Sequence, residues 1–350
     1  MGQAVRVGIA GLGRSGWDIH ARVFDRQPKM YTVVAAADPI QERLDEAEKK
    51  FGCKTYGGFD SFAADGEVEL AVVATPTYLH AAHAIKALKS GKNVVCEKPM
   101  AASLSEADAM IKAAKDTGNL LTIFQNKRYW PDFLKVKEVI QSGKLGRIVL
   151  VKISLHSFAR RWDWQTLTEF GGGELRNNAV HLIDQALQLI GDANPEVFCD
   201  LQRTLTLGDA EDHVKLTLKA PGSPVVDIEV SHACAFPQDC WLVMGTAGGL
   251  TGGGTTLRWK YVDLKTLPPR TVEAKPTPDR SFNSEELRWT EETWEQGKDS
   301  VPGDFAFYEA LYGTLRRGSP LGVTPESARR VMSTIEKCYE CCEAHGQSSV

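Results

Sequence analysis

The sequence predicts an α/β domain on a doubly wound parallel sheet, followed by an α+β domain on a mostly antiparallel one. Three observations carry this expectation. Short apolar strands alternate with helical stretches through the first 125 residues. Longer strands of period-two alternation follow one another after residue 146. The length of 350 residues suits two cores. The division expected is residues 1–125 and 126–350.

The elements of the first domain follow in order. Val5, Val7 and Ile9 make the strand "VRVGIAG", and "GLGRSG" places glycines at 11, 13 and 16 before a helix expected from about Trp17 to Asp25. A second apolar strand, "TVVAAAD", ends at Asp38. A strand, a glycine turn, a helix, a second strand and then an acid form the Rossmann dinucleotide fingerprint in its required context. Gly11 permits the tight turn, Gly13 lets backbone approach a pyrophosphate, and Gly16 lets the helix pack on the strand. Leu12, Arg14 and Ser15 lie within the turn, and the helix start offers amide donors and a positive dipole end. Asp38 can accept from ribose hydroxyls and repels a 2′-phosphate, which favours NAD, while the nearby Arg43 leaves NADP possible. Strands "ELAVVATP", "NVVCEKP" and "LLTIFQN" continue the alternation with helices around 79–90 and 103–117. Their near-continuous apolar character suits a sheet buried on both faces.

Ligands of open parallel sheets bind beyond the carboxyl ends of the strands. Three polar segments are expected there: "TPTYLH" with Thr75, Pro76 and His80, "EKP" with Glu97 and Lys98, and "QNKRYW" with Gln125, Arg128 and Tyr129. Pro99 confines the backbone of Lys98 to extended values. A lysine fixed there can hold a substrate hydroxyl and stabilise charge as its proton leaves.

In the second half, "RIVLVKISLHSF", "HVKLTLKA", "VVDIEVSHACA", "CWLVMGTA" and "TLRWKYVDL" read as strands. Residues 265–300 are polar and proline-rich and read as an irregular excursion. The final helix starts at Thr324 and Pro325, a cap followed by proline at the first helical position. Between them "GGGELRNNAVHLIDQ" (171–185) has apolar residues at 179, 182, 183, 186, 187 and 190, a helical stripe. Asn177, His181, Asp184 and Gln188 gather on the opposite face, which the pattern places either in solvent or along a cleft; the triple glycine ahead, allowing close backbone approach, favours the cleft. "SFARRWDWQ" precedes it, and Trp162 and Trp164 are candidates to meet a sugar face or a nicotinamide edge.

Composition narrows the partners. A net charge of −4 argues against nucleic acid and anionic membranes. The N-terminus carries no secretory pattern and no apolar run approaches the ~20 residues of a membrane span, so a cytoplasmic protein is expected. The eight cysteines mostly sit singly in apolar patterns, and the closing C-x-x-C-C lacks a second ligand pair, so no metal is expected.

"VGIAGLGRSG", "VCEKPMA", "GGGELRNNAVHLIDQAL", "GTAGGL" (245–250) and "TPESARRVMSTIEKCYE" together resemble the glucose–fructose oxidoreductase/inositol dehydrogenase/rhizopine-catabolism (Gfo/Idh/MocA) family along nearly the whole chain. The resemblance implies a large, open C-terminal sheet through whose face subunits associate as dimers or tetramers. It also implies oxidation or reduction of one carbon of a sugar, inositol or related polyol with NAD(P). Lys98 matches the family's catalytic lysine and His181 its catalytic histidine. Asn177 departs from the pattern, because many members have aspartate four residues before the histidine. Asparagine keeps hydrogen bonding but cannot raise the pKa of His181 by charge. Two other functions stay open: redox-assisted glycoside cleavage with recycled NAD, and a non-catalytic NAD-responsive binding protein like a yeast galactose-pathway repressor.

Overall fold

The computed structural model describes residues 3–278 and 280–344. Strands β1 (Val5–Ala10), β2 (Tyr31–Ala37), β3 (Lys54–Tyr56), β4 (Leu70–Val73), β5 (Asn93–Cys96) and β6 (Leu121–Ile123) form one sheet in the order 3-2-1-4-5-6. Every pairing in it is parallel. Helices α1 (Arg22–Arg26), α2 (Gln41–Phe51), α3 (Phe59–Ala64), α4 (His80–Lys89) and α5 (Leu104–Thr117) are interspersed with these strands in the chain. Val5, Val7, Leu70, Val72, Val94 and Val95 are fully buried, as strands covered on both faces require. The strand order reverses between β1 and β4, and that switch point opens the crevice where ligands of this fold bind.

The first helix differs from expectation. It begins as a π-helical turn, Ser15–Ala21, and becomes α-helical only at Arg22.

After α6 (Pro131–Gln141), eight strands form the second sheet: β7 (Ile148–His156), β8 (Glu196–Gln202), β9 (His213–Lys219), β10 (Val225–Ser231), β11 (Trp241–Gly245), β12 (Gly248–Gly253), β13 (Thr256–Tyr261) and β14 (Thr290–Glu295). Their order is 14-13-12-11-7-10-9-8. Only β7 and β10 pair in parallel, so the sheet is mixed and mostly antiparallel. One face carries the alternate residues Val151, Ile153, Val214, Leu216, Val226 and Ile228, all buried. Within the proline-rich 265–300 stretch the structure adds β14 as an edge strand.

Helix α7 (Val180–Ile190) follows the glycines, and α8 (Gly303–Arg317) and α9 (Pro325–Ala344) finish the chain. The last two return to the first sheet. The Tyr308 ring of α8 is fully buried, its hydroxyl lies 2.7 Å from His20 Nδ1, and its carbonyl accepts from the Tyr31 hydroxyl at 2.7 Å. Phe307 and Leu311 are buried beside it. Burying such side chains contributes about 1.5–3 kcal/mol each, a large share of a domain's net stability. Helix α9 packs on α5, α7 and β8, where the Cys342 thiol donates to the Cys199 carbonyl. No described helix is long and apolar enough to cross a membrane.

Candidate active site

The glycine turn builds one wall of a cleft. Gly11 has φ +91°, and a Cβ on it would stand 2.4 Å from the Ala74 carbonyl oxygen. A Cβ on Gly16 would stand 1.8 Å from the Gly11 carbonyl oxygen. At Gly13 nothing lies within 4 Å of the Cβ position. The fold itself therefore demands the first and third glycines, whereas the second keeps backbone open to the cleft. Asp38, at the end of β2, is buried; its Oδ2 accepts from the Leu12 amide at 2.7 Å and its Oδ1 from the Ile40 amide at 3.0 Å. Arg43 Nη1 lies 3.4 Å from Oδ2.

The cleft, about 750 Å³, runs from Asp38 and Arg43 past Gly11, Gly13, Arg14 and Ser15, then by Thr75 and Pro76, to Glu97, Lys98 and the half-exposed Trp164. These residues fit a dinucleotide. Open backbone at a helix start suits phosphates, the buried acid suits a ribose, and the indole of Trp164 offers the cleft an aromatic surface for a flat ring. Four of the expected cofactor-site positions shape the site through its frame, and of these only His80 lines the cleft. Leu12 is buried and spends its amide on Asp38, and Gly16 packs on Gly11. Both ring nitrogens of His80 lie 2.8 Å from carbonyls, those of Pro99 and Thr75, which makes it a brace at the cleft edge. Gln125 is buried behind His181.

A second cavity, about 440 Å³, adjoins the cleft and shares Arg14, Ser15, Glu97, Lys98, Arg161 and Gln165 with it. Lys98, Asn177 and His181 meet there. The ammonium of Lys98 donates to the Asn177 carbonyl at 2.7 Å and lies 3.4 Å from its Oδ1. Enclosure by protein pushes this lysine down to about 8, with Lys127 and Arg14 adding to the effect and Glu97 opposing it. His181 is buried, and its Nδ1 lies 3.1 Å from Gln125 Oε1. That oxygen can only accept, so Nδ1 carries the proton and Nε2 is left as the basic nitrogen. Burial, then the charges of Lys98 and Lys127, hold His181 well below its ordinary 6.5, so it is neutral at pH 7.

The glycines ahead of the helix bring this wall together. Gly173 has φ +103°, and a Cβ there would stand 2.3 Å from the Glu211 carboxylate, which accepts the Leu175 amide. The next turn, Leu175–Ala179, is π-helical, so Asn177 is offset from the plain helical face expected for it.

Four expected substrate contacts lie elsewhere. Arg128 and Asp184 form a buried pair, with Nε to Oδ2 at 2.7 Å and Nη2 to Oδ1 at 2.6 Å. Arg128 also donates to the Gly322 carbonyl and to Ser327, tying α7 to the approach to α9 and its first turn. Tyr129 packs edge-on against Phe307. Trp162 is 76% exposed and lines neither cavity. The polar face of α7 thus packs against the 126–129 turn, where the Gln185 amide donates to the Lys127 carbonyl. Sequence reasoning missed Lys127, Trp130 and Asn178, which do line the cavity. Their signal was present in "QNKRYW", but residues 126–129 form a 3₁₀ turn, so neighbouring Lys127 and Arg128 face opposite ways.

Comparison with known proteins agrees with this architecture. Residues 5–125 match the model of an oxidoreductase family with an NAD-binding Rossmann fold. Residues 133–251 match that of the Gfo/Idh/MocA C-terminal domain. The scyllo-inositol 2-dehydrogenase (NADP(+)) of Bacillus subtilis is 30% identical over 53% of this chain and 52% of its own. The 2,7-anhydro-N-acetylneuraminate hydratase of Escherichia coli is 26% identical over 70% of this chain and 67% of its own. An NAD-binding protein from Listeria innocua superposes with a TM-score of 0.81 at 26% identity, covering 98% of both chains. With a glycine-turn cleft, a mixed eight-stranded sheet and both domain models matched in order, the chain belongs to the Gfo/Idh/MocA family of NAD-binding oxidoreductases.

Proposed function

We propose that the protein oxidises or reduces one carbinol carbon of a sugar, inositol or related polyol, with NAD as the preferred cofactor. The observation that carries this reading is the convergence of Lys98, Asn177 and His181 on a cavity continuous with the dinucleotide cleft. A nicotinamide dinucleotide held by the glycine turn and Asp38 would supply the redox chemistry, exchange of a hydride with the carbinol carbon. The chain's own groups handle the proton. Nε2 of His181 takes it from the hydroxyl during oxidation and gives it back during reduction. The Lys98 ammonium donates to the same oxygen and stabilises the charge that develops as the proton leaves. Asn177 holds that ammonium through its carbonyl and orients a neighbouring hydroxyl with its amide. A carboxylate at Asp38 disfavours a 2′-phosphate, which supports NAD over NADP.

Association through the open face of the eight-stranded sheet accompanies this reading. A cavity of about 650 Å³ lies on that face, with Leu242, Met244 and Trp289 along it, and Met244 and Trp289 are 45% and 44% exposed. Incubation with NAD and a panel of sugars, inositols and glycosides tests the reading. NADH accumulating with a product two hydrogens lighter supports it. Cleaved or hydrated product without NADH replaces it with redox-assisted chemistry, and intact NAD binding with no conversion of the whole panel counts against catalysis.

A further inference from the structure

The substrate cavity has an unbalanced charge. Four cationic side chains line it, Arg14, Lys98, Lys127 and Arg161, against the single carboxylate of Glu97. That carboxylate is already engaged, with Oε1 lying 3.0 Å from His20 Nε2 and Oε2 accepting from the Lys98 amide at 3.0 Å. Arg161 is held by Asp163, Gln165 and Glu174. Lys98 is held by Asn177.

Lys127 is different. Among the described residues its ammonium has no ion pair and no hydrogen bond; it stands over the face of Trp130, 4.6 Å from the ring centroid. The nearby carboxylate of Asp132 is turned away, accepting from the Phe133 and Gly254 amides and from Trp241 Nε1. Burial lowers the pKa of Lys127, with Cys240, Asp132 and Glu174 opposing. A cation enclosed without a partner is costly, and an occupant carrying negative charge would offset that cost. The dinucleotide is not that occupant, because Lys127 lines the substrate cavity and not the cofactor cleft. Asn177 is neutral, so it adds nothing to repel an anion. Asn126 and Asn178 complete a neutral hydrogen-bonding wall suited to hydroxyls.

We infer that the substrate is a sugar acid, a polyol ring or chain whose carboxylate pairs with Lys127 while the indole of Trp130 lies against its carbon face. This rests on the oxidoreductase reading of the same site. With Lys98 and Arg161 already engaged, the one unpaired ammonium, Lys127, matches a singly charged carboxylate, whereas a phosphate dianion would call for more free donors.

The test pairs each neutral sugar with its uronate and its phosphate: glucose, glucuronate and glucose 6-phosphate, and the galactose series. It uses the NAD-loaded protein and two independent readouts. NADH formation reports turnover. Quenching of Trp130 fluorescence, identified by its loss in Trp130→Phe, reports binding without chemistry. The uronate is expected to exceed its neutral partner in kcat/KM and in affinity. Lys127→Met should lower that preference about 10- to 100-fold, and Lys127→Arg should restore most of it. Raised salt should erode the same preference. Uronate binding that depends on Lys127 without NADH formation would sustain the sugar-acid inference while ending the oxidoreductase reading. Turnover of neutral sugars with no uronate preference would do the reverse. Preference for the phosphate over the uronate would overturn the carboxylate assignment.

Discussion

The glycine turn offers backbone to the cleft, at Gly11, Gly13 and Ser15, whereas the wall of the adjoining cavity presents side chains from Lys127, Asn177, Asn178 and His181. The first is fixed by steric demands that only glycine meets, namely a left-handed φ at Gly11 and a 1.8 Å approach at Gly16. The second depends on how a 3₁₀ turn and a π-helical turn rotate each side chain. Backbone sites tolerate almost no change in shape, while side-chain sites can exchange their chemistry on an unchanged frame. That asymmetry fits a family whose members share a cofactor fold and differ in substrate.

The comparison can be broken most sharply at His181. His181→Ala should reduce kcat by about 10²–10⁴-fold, with NAD affinity held, because the loss falls on proton transfer. Steady-state kinetics beside an NAD titration checks this, and a matching loss of NAD binding would merge the two walls into one unit. Arg128→Leu should act on the frame instead. Leaving Asp184 buried and unpaired costs about 3–5 kcal/mol of stability in urea unfolding, with KM little changed for the folded fraction. A large rise in KM at full stability would return Arg128 to the substrate.

On the opposite wall the glycines separate cleanly. Gly16→Ala should leave little folded protein, since its Cβ cannot coexist with the Gly11 carbonyl. Gly13→Ala should unfold at the wild-type temperature while weakening NAD binding, as thermal melts with and without NAD would reveal. The smaller effect is at Asn177, where Ala should raise KM about 10-fold and change kcat less, the loss of a hydrogen bond to a hydroxyl. Equal changes in both constants would make Asn177 part of the proton machinery.

The pH profile sharpens the same contrast. His181 is basic only above its depressed pKa, so the acid limb of oxidation should fall below 6.5. Lys98 must stay charged, so the alkaline limb should fall near 8 and move upward in Lys98→Arg. Stability follows the same sign. Below 6.5 the unfolded chain takes up a proton that native His181 refuses, so this contribution is complete above 6.5 and declines as pH falls toward the native value.

Much of the frame was legible. The three glycines and Asp38 were readable from local spacing, whereas Lys98 and the Asn177–His181 stretch stood out through their resemblance to family motifs, and the structure brings Lys98, Asn177 and His181 to one cavity. Arg128 and Asp184 were not, because two polar residues far apart in sequence reveal nothing of their pairing until the chain folds. Lys127 was passed over for its neighbour, since the rotation of a four-residue turn leaves no periodicity to read. The return of α8 and α9 to the first sheet was equally hidden, as amphipathic helices announce that they pack but not against what.

A chain of three contacts, the first two buried, joins Tyr308 to His20, His20 to Glu97, and Glu97 to the Lys98 amide. Its consequence lies in the order of synthesis. The parallel sheet leaves the ribosome long before Tyr308 does, and domains fold as they emerge. The nascent sheet can therefore close around its glycine turn while His20 still waits for its hydroxyl partner. The loop carrying Lys98 is completed only when the helix bearing Tyr308 has been translated and docked.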